Sequence, residues 1–239
     1  SDNKISVIIG ENNKPIDKMK CGILDSEGRL WVGSRTGLFS KYGNSISVFK
    51  KEQGLIDDNI RCLMEDSKGN IWAGTFSGIT IIDHEKNVMN NLSTKEGLSN
   101  DYIMHINEDS KGSIWISTRN GLNEYNNGKI THYNSSHGMA GDFVFKTFID
   151  ADGILWVAGN AGLSRYKNGE FKALTTKNGL TSNTLFQIIE DDNGYFWFTT
   201  NQKGVSVFKV KKDELNDFFD GKIGEVNSTE YNQADGIKA

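Results

Sequence analysis

The sequence predicts an all-β fold: a β-propeller of about five four-stranded antiparallel blades, repeating every 41–43 residues and forming an incomplete arc of a larger ring. Three observations carry that expectation. The five tryptophans, Trp31, Trp72, Trp115, Trp156 and Trp197, stand 41, 43, 41 and 41 residues apart. Each has an aspartate six residues before it and a glycine three before it, from Asp25 and Gly28 to Asp191 and Gly194. The segments between these marks alternate between short apolar runs and turn residues, with no room in a core period for a ten-residue helix. A period of about 40–50 residues signals a solenoid or a propeller, and four short strands per period select the propeller.

One period shows how the elements follow. "IRCLMED" (60–66) reads as a first strand. In "DSKG" the Asp66 carboxylate can accept backbone N–H bonds and Gly69 can take positive φ, which makes a tight turn. "NIWAGT" is a second strand, rich in apolar, aromatic and β-branched residues. "ITIID" and "VMNNL" are the third and fourth. Side chains alternate along a strand, so Ile71 and Ala73 face one way and Trp72 the other. A sheet apolar on both faces needs a neighbour on each side, and the tryptophan column therefore reads as core packing. The residue two after each tryptophan is modest in size (Gly33, Gly74, Ser117, Ala158, Thr199) and reads as clearance for a ring or a neighbouring side chain.

The ends of the chain shape the ring question. "KISVII" (4–9) matches the phase of a fourth strand left over from a preceding blade. "KKDELNDFFDGK" (211–222) breaks the last period with helix formers and with Leu215, Phe218 and Phe219 at helical spacing, so a short helical insertion is expected there. "VNSTEYN" (226–232) then supplies the last fourth strand. The expected organisation is a single propeller, or propeller fragment, over 1–239. An arc of this kind exposes two apolar blade faces, which are expected to self-associate, to meet another chain or to be blunted by the terminal segments.

Composition excludes several classes. With 239 residues, 36% apolar, and 26 glycines, the chain is a folded one. A net charge of −4 without a basic cluster argues against a nucleic-acid partner. No apolar run reaches the ~18 residues of a membrane helix. Cys21 and Cys62 make no disulfide framework.

The phrase Asp-x-x-Gly-x-Ile/Leu-Trp-x-Gly/Ser-Thr-x-x-Gly-Leu-x-x-Tyr, best seen in "DSKGSIWISTRNGLNEY" (109–125) and "DADGILWVAGNAGLSRY" (150–166), resembles the two-component regulator propeller repeat, over roughly residues 19–208. That resemblance implies an extracytoplasmic sensor region, periplasmic or at the cell surface, of a larger membrane-anchored bacterial receptor with histidine-kinase, hybrid two-component or other signalling output. Many such receptors respond to carbohydrates or their breakdown products. Neither the family's three-Tyr-type β-sandwich domain, nor a membrane helix, nor a kinase falls within these residues, and the family's motifs mark blades rather than ligands.

A meander places the loop between strands two and three on the same face as the connector to the next blade. Variable loops on a fixed scaffold are where binding is placed. Four residues after each tryptophan stand Arg35, Phe76, Arg119, Asn160 and Asn201, which could hold an oligosaccharide or an anionic small ligand by bidentate bonds and stacking. Ten before each stand Cys21, Cys62, His105, Lys146 and Gln187 on the innermost strand, where His105, Lys146 and Gln187 could line a central channel. No catalytic residue, metal or cofactor is expected. The four histidines lack zinc spacing, and "DADG" (150–153) and "DDNG" (191–194) lack the bidentate Glu of a calcium loop. The rival functions are a streptogramin-lyase-like enzyme, for which His105 and His137 are the candidates, and a pure protein-interaction scaffold.

Overall fold

Every blade is organised from its Asp-x-x-Gly turn. In the computed structural model, which describes residues 16, 18–83, 88–201, 205–232 and 235–236, Asp25 Oδ1 accepts the backbone N–H groups of Glu27 and Arg29 at 3.1 and 2.7 Å. Gly28 takes φ +83° to close the hairpin. The second carboxylate oxygen, Oδ2, accepts the indole Nε1–H of Trp31 at 2.8 Å. The same bond recurs for Trp72 on Asp66 (2.8 Å), Trp115 on Asp109 (3.0 Å), Trp156 on Asp150 (2.9 Å) and Trp197 on Asp191 (2.7 Å). The aspartate therefore ties the turn to the core residue six positions on, satisfying a donor that would otherwise be buried unpaired.

From these turns the strands run as the repeat predicts. Blade 1 comprises β1 (Cys21–Leu24), β2 (Leu30–Gly33), β3 (Leu38–Tyr42) and β4 (Ser45–Phe49). Blade 2 comprises β5 (Cys62–Glu65), β6 (Ile71–Gly74), β7 (Ile79–Asp83) and β8 (Val88–Leu92). Blade 3 comprises β9 (Ile103–Glu108), β10 (Ile114–Thr118), β11 (Gly121–Asn126) and β12 (Lys129–Tyr133). Blade 4 comprises β13 (Val144–Ile149), β14 (Leu155–Gly159), β15 (Leu163–Lys167) and β16 (Glu170–Leu174). Blade 5 comprises β17 (Gln187–Glu190), β18 (Tyr195–Thr199), β19 (Val205–Lys211) and β20 (Thr229–Asn232), with α1 (Lys212–Phe219) inserted before its last strand. Each sheet keeps its strands in chain order. The leftover strand expected at 4–9 and most of "DGIKA" (235–239) lie outside the described residues, as does His84.

The chain forms two compact units, residues 1–106 and 107–239, divided within β9. In the first, Trp31 packs onto blade 2 through Leu55, Ile60, Ile71, Ala73 and Ile82. In the second, Trp115 packs onto blade 4 through Leu155 and Val157, and Trp156 onto blade 5, with its ring 5.0 Å from that of Phe196. These interfaces confirm the packing role of the tryptophan column. Burying rings of this size, each worth roughly 3 kcal/mol, is what joins one blade to the next. Trp197 is only partly buried; it stacks on Tyr231 at 5.3 Å, with Lys209 Nζ 4.9 Å from its ring.

The modest residue two after the tryptophan does clear space, but for a neighbour rather than for the indole. A Cβ on Gly74 would stand 2.5 Å from Cys62 Sγ and 2.7 Å from Ile103 Cγ2, and a Cβ on Gly33 would stand 2.6 Å from both Cys21 Sγ and Ile60 Cγ2. The connectors repeat as closely. Short 3₁₀ turns at 51–53, 135–137 and 176–178 end on Gly54, Gly138 and Gly179 in the left-handed region. A carboxylate or amide fourteen residues before the next tryptophan clamps each connector: Asp58 accepts from Lys51 N (2.8 Å), Asp101 from Thr94 N (2.6 Å), Asp142 from Ser135 N (2.7 Å) and Asn183 from Thr176 N (2.8 Å).

Helix α1 buries Leu215 and Phe219, as its apolar spacing anticipates. Phe219 meets Trp156 at 5.7 Å. Arg165, almost fully buried, donates to Asp220 Oδ1 (2.6 Å) and Asn216 Oδ1 (3.1 Å) and lies over the Phe219 ring. The Arg165 guanidinium holds the Asp220 carboxyl below its ordinary pKa.

Candidate functional site

In the first unit the loop after β6 and the connector leading to β5 approach each other, as a meander requires. Ser77 Oγ donates to Asp57 Oδ2 at 2.6 Å, and Ile60 N donates back to Ser34 O at 2.9 Å. This geometry places Phe76 beside Tyr102, with ring centroids 4.2 Å apart. The guanidinium of Arg61, the residue before β5, lies 4.3 Å from the Phe76 centroid and 5.0 Å from that of Tyr102. Lys20 Nζ lies 5.4 Å from the Phe76 ring and donates to Asn59 Oδ1 at 2.7 Å.

The cluster is strongly cationic. Lys20 has its pKa lowered, first by partial burial and then by the positive charges of Arg61 and Arg35. Arg35 is exposed on the loop after β2. No ion pair engages Lys20, Arg35 or Arg61 among the described residues, and Arg61 Nε is buried without a hydrogen-bond partner. Three neighbouring cations and an unsatisfied donor are a costly arrangement for a fold to hold. Beside them, burial pushes the Cys21 thiol up to about 11.

Of the residues read from the sequence, Arg35 and Phe76 enter this cluster. His105 is half-buried on β9. In the second unit Arg119 lies 5.5 Å from the Phe143 ring, and Phe143, Phe145 and Phe186 form a chain of rings at 4.5 and 4.9 Å. Asn160 N donates to Phe143 O at 3.0 Å. Asn201 is exposed. Lys146 and Gln187 stand opposite Ala158 and Thr199 in their sheets, in the same register as Cys21 opposite Gly33 and Cys62 opposite Gly74. That register places the column on the tryptophan side of the strand, and Cys21 and Cys62 there lie towards Ile60 of the following connector and Ile103 at the start of β9, respectively.

Sequence reasoning missed Lys20, Arg61 and Tyr102. Lys20 and Arg61 stand eleven residues before their tryptophans, as do Phe145 and Phe186, and Tyr102 and Phe143 stand thirteen before theirs. Extending the repeat arithmetic to those two columns would have found them.

The opposite, Asp-turn face of the second unit carries a feature the uniformity of those turns did not suggest. A cleft of about 730 Å³ lies there, lined by Asp109, Lys111, Trp115, Asp152, Tyr166 and Asp220 among others. Its outer wall includes α1. Among the described residues no group of three or more His, Cys, Asp or Glu side chains is placed to hold a metal ion. His137 sits in a 3₁₀ turn with Nδ1 2.8 Å from Asn134 Oδ1. No helix among them is long and apolar enough to cross a membrane.

Comparison with known proteins agrees with this architecture. No curated protein sequence matches the chain. Among solved structures, it superposes on the extracellular domain of B. thetaiotaomicron BT3049, assigned to a hybrid two-component system, with TM-score 0.74 and 24% identity over 95% of this chain and 31% of that one. The corresponding domain of BT4673 from the same organism gives 0.70 and 18%, over 90% and 31%. Virginiamycin B lyase from Staphylococcus aureus gives 0.68 and 15%, over 95% and 73%. At these identities the likeness is one of fold, and the chain spans about a third of the length of the two receptor domains. Residues 54–77, 97–120 and 179–202 match the two-component regulator propeller family. Each matched segment runs from a connector's glycine through the Asp-turn and the tryptophan strand to the loop beyond it, so these three segments are two-component regulator propeller repeats.

Proposed function

We propose that the chain is a non-catalytic, ligand-sensing propeller segment of an extracytoplasmic bacterial receptor, and that it binds a carbohydrate-type ligand on the face that carries Arg35 and Phe76. The observation that carries this reading is the Arg61 cluster, in which Arg61 and Lys20 gather with the Phe76 and Tyr102 rings at the variable end of the blades, and no carboxylate pairs with these cations among the described residues. The repeat family and the likeness to receptor extracellular domains support the setting. Within such a receptor the partly buried Trp197 face of blade 5 would pack against a further blade, as Trp156 packs on blade 5. Thermal unfolding with a panel of oligosaccharides tests the reading. A ligand at a hundred times its Kd adds about 2.7 kcal/mol of stability, so a true ligand raises Tm by several degrees. A flat response across neutral, acidic and sulfated members counts against it.

A second reading, a lyase, has the likeness to virginiamycin B lyase in its favour. Incubation with virginiamycin B and analysis by mass spectrometry decides it; a changed antibiotic would displace the sensor reading.

A further inference from the structure

We infer that the face around Arg61 is an anion-binding subsite, built for a sugar that carries a carboxylate or sulfate group; the inference rests on the proposal that this face binds ligand. Arg61 lies against two rings on one side of its guanidinium. Phe76 at 4.3 Å and Tyr102 at 5.0 Å, with centroids 4.2 Å from each other, make cation–π contacts that orient it without neutralising its charge. Its Nε–H is buried with no partner. A guanidinium that no carboxylate pairs is a group that recognises a carboxylate or a sulfate through charge-assisted bonds. Lys20 and Arg35 add two more positive charges, close enough for both Arg35 and Arg61 to lower the Lys20 pKa.

The nearby acceptors do not complete the site. Asp57 is engaged by Ser77 Oγ (2.6 Å) and by Asn59 N (2.8 Å), and Asn59 Oδ1 by Lys20 Nζ (2.7 Å). No carboxylate forms an ion pair with any of the three cations among the described residues. An arriving anion would relieve the mutual repulsion of the three cations. A neutral sugar would not. The two rings, engaged with each other and with Arg61, position the guanidinium rather than forming an open stacking platform.

Calorimetric titration of the whole chain with a glucuronate-containing oligosaccharide, a sulfated oligosaccharide and a neutral oligosaccharide of matched length tests this. Binding is expected from one or both acidic probes and to weaken as salt rises from about 50 to 500 mM, as the Debye length shrinks from roughly 14 to 4 Å. Arg61→Gln is expected to weaken it by about ten- to a hundredfold, the scale of a lost charge-assisted pair. Arg35→Gln, a change at an exposed loop residue that leaves the core intact, is expected to weaken it by about three- to tenfold. Which acidic probe wins distinguishes carboxylate from sulfate. Equal affinity for the neutral probe, unchanged in Arg61→Gln, overturns the anion subsite but leaves a sugar-binding face standing. Binding by none of the three overturns both.

Discussion

Trp72 and Asp66 are joined by a 2.8 Å bond from the indole Nε1–H to Oδ2, while Oδ1 of the same carboxylate accepts Lys68 N at 3.0 Å and Asn70 N at 2.8 Å. One side chain therefore caps the hairpin and satisfies the core ring. Asp66→Ala removes both and leaves a buried indole donor unpaired. The expected loss is about 3 kcal/mol, read as a lowered midpoint in urea. Asp66→Asn keeps an acceptor and is expected to lose about half as much. If the Ala variant unfolds at the wild-type midpoint, the bond is not what holds the turn to the core.

This bond also shows how far the sequence could be read. The spacing of Asp25 and Trp31, repeated five times, made blade number, strand order and the core side of β2, β6, β10, β14 and β18 legible, because each follows from the alternation of side chains. The helix at 212–219 was legible from Leu215 and Phe219. The bond itself was not, since a carboxylate six residues away reaches an indole only once the hairpin is folded. The site was half legible for a related reason. Arg35 and Phe76 sit in the conspicuous loop after the tryptophan strand. Arg61 and Tyr102 sit at connector ends beside apolar strands; pairing within blade 2 brings Arg61 to Phe76, and only the approach of that blade's loop to the next blade's connector brings Tyr102 there.

Gly74→Ala tests the clearance column. The added Cβ would stand 2.5 Å from Cys62 Sγ and 2.7 Å from Ile103 Cγ2, both in packed surroundings. A cost of about 1–3 kcal/mol is expected from the overpacking. Cys62→Ala in the same chain removes the nearer clash and is expected to recover part of it, which a double-mutant cycle in urea would read as a coupling. Blade 4 already carries Ala158 at the equivalent position, opposite Lys146, so Ala158→Gly is expected to cost only the smaller loss of a buried methyl and some backbone freedom, about 1 kcal/mol.

Lys212 makes a different kind of joint. Its Nζ lies 3.1 Å from Asp150 Oδ2, 3.1 Å from Asp152 Oδ2 and 3.3 Å from Glu190 Oε1, with the Lys212 side chain only 12% exposed. Burial alone would lower its pKa, but the bonds to Asp152 and Asp150 and the charges of Asp150 and Glu190 outweigh it and raise the value above 10.5. A raised folded pKa means the stabilisation is fully present below the unfolded value near 10.5 and fades as pH climbs from there towards the folded one. Lys212→Met, which strands three carboxylates, is expected to lose about 2 kcal/mol at neutral pH. The gap between wild type and variant should hold from pH 7 to about 10 and narrow above that. A gap that narrows below pH 9 would contradict the pairing.

Under the proposed anion subsite, Arg35 would set stability and binding against each other. Partial burial first, then the charges of Arg61 and Arg35, lower the Lys20 pKa below 10.5. Folding lowers that pKa, so the charged ammonium costs the folded state stability at every pH below the folded value, and the cost is relieved as pH rises through it. Arg35→Gln removes one source of the repulsion from an exposed position. In the absence of ligand the variant is expected to be slightly more stable than wild type, by under about 0.5 kcal/mol at low salt, with the difference vanishing near 1 M salt. Residues that serve the fold alone do not behave in this way, because their loss lowers stability. Differential scanning calorimetry at two salt concentrations reads the sign, and a variant that melts below wild type at low salt would mean that Arg35 is held by contacts within the fold rather than kept there for an incoming anion.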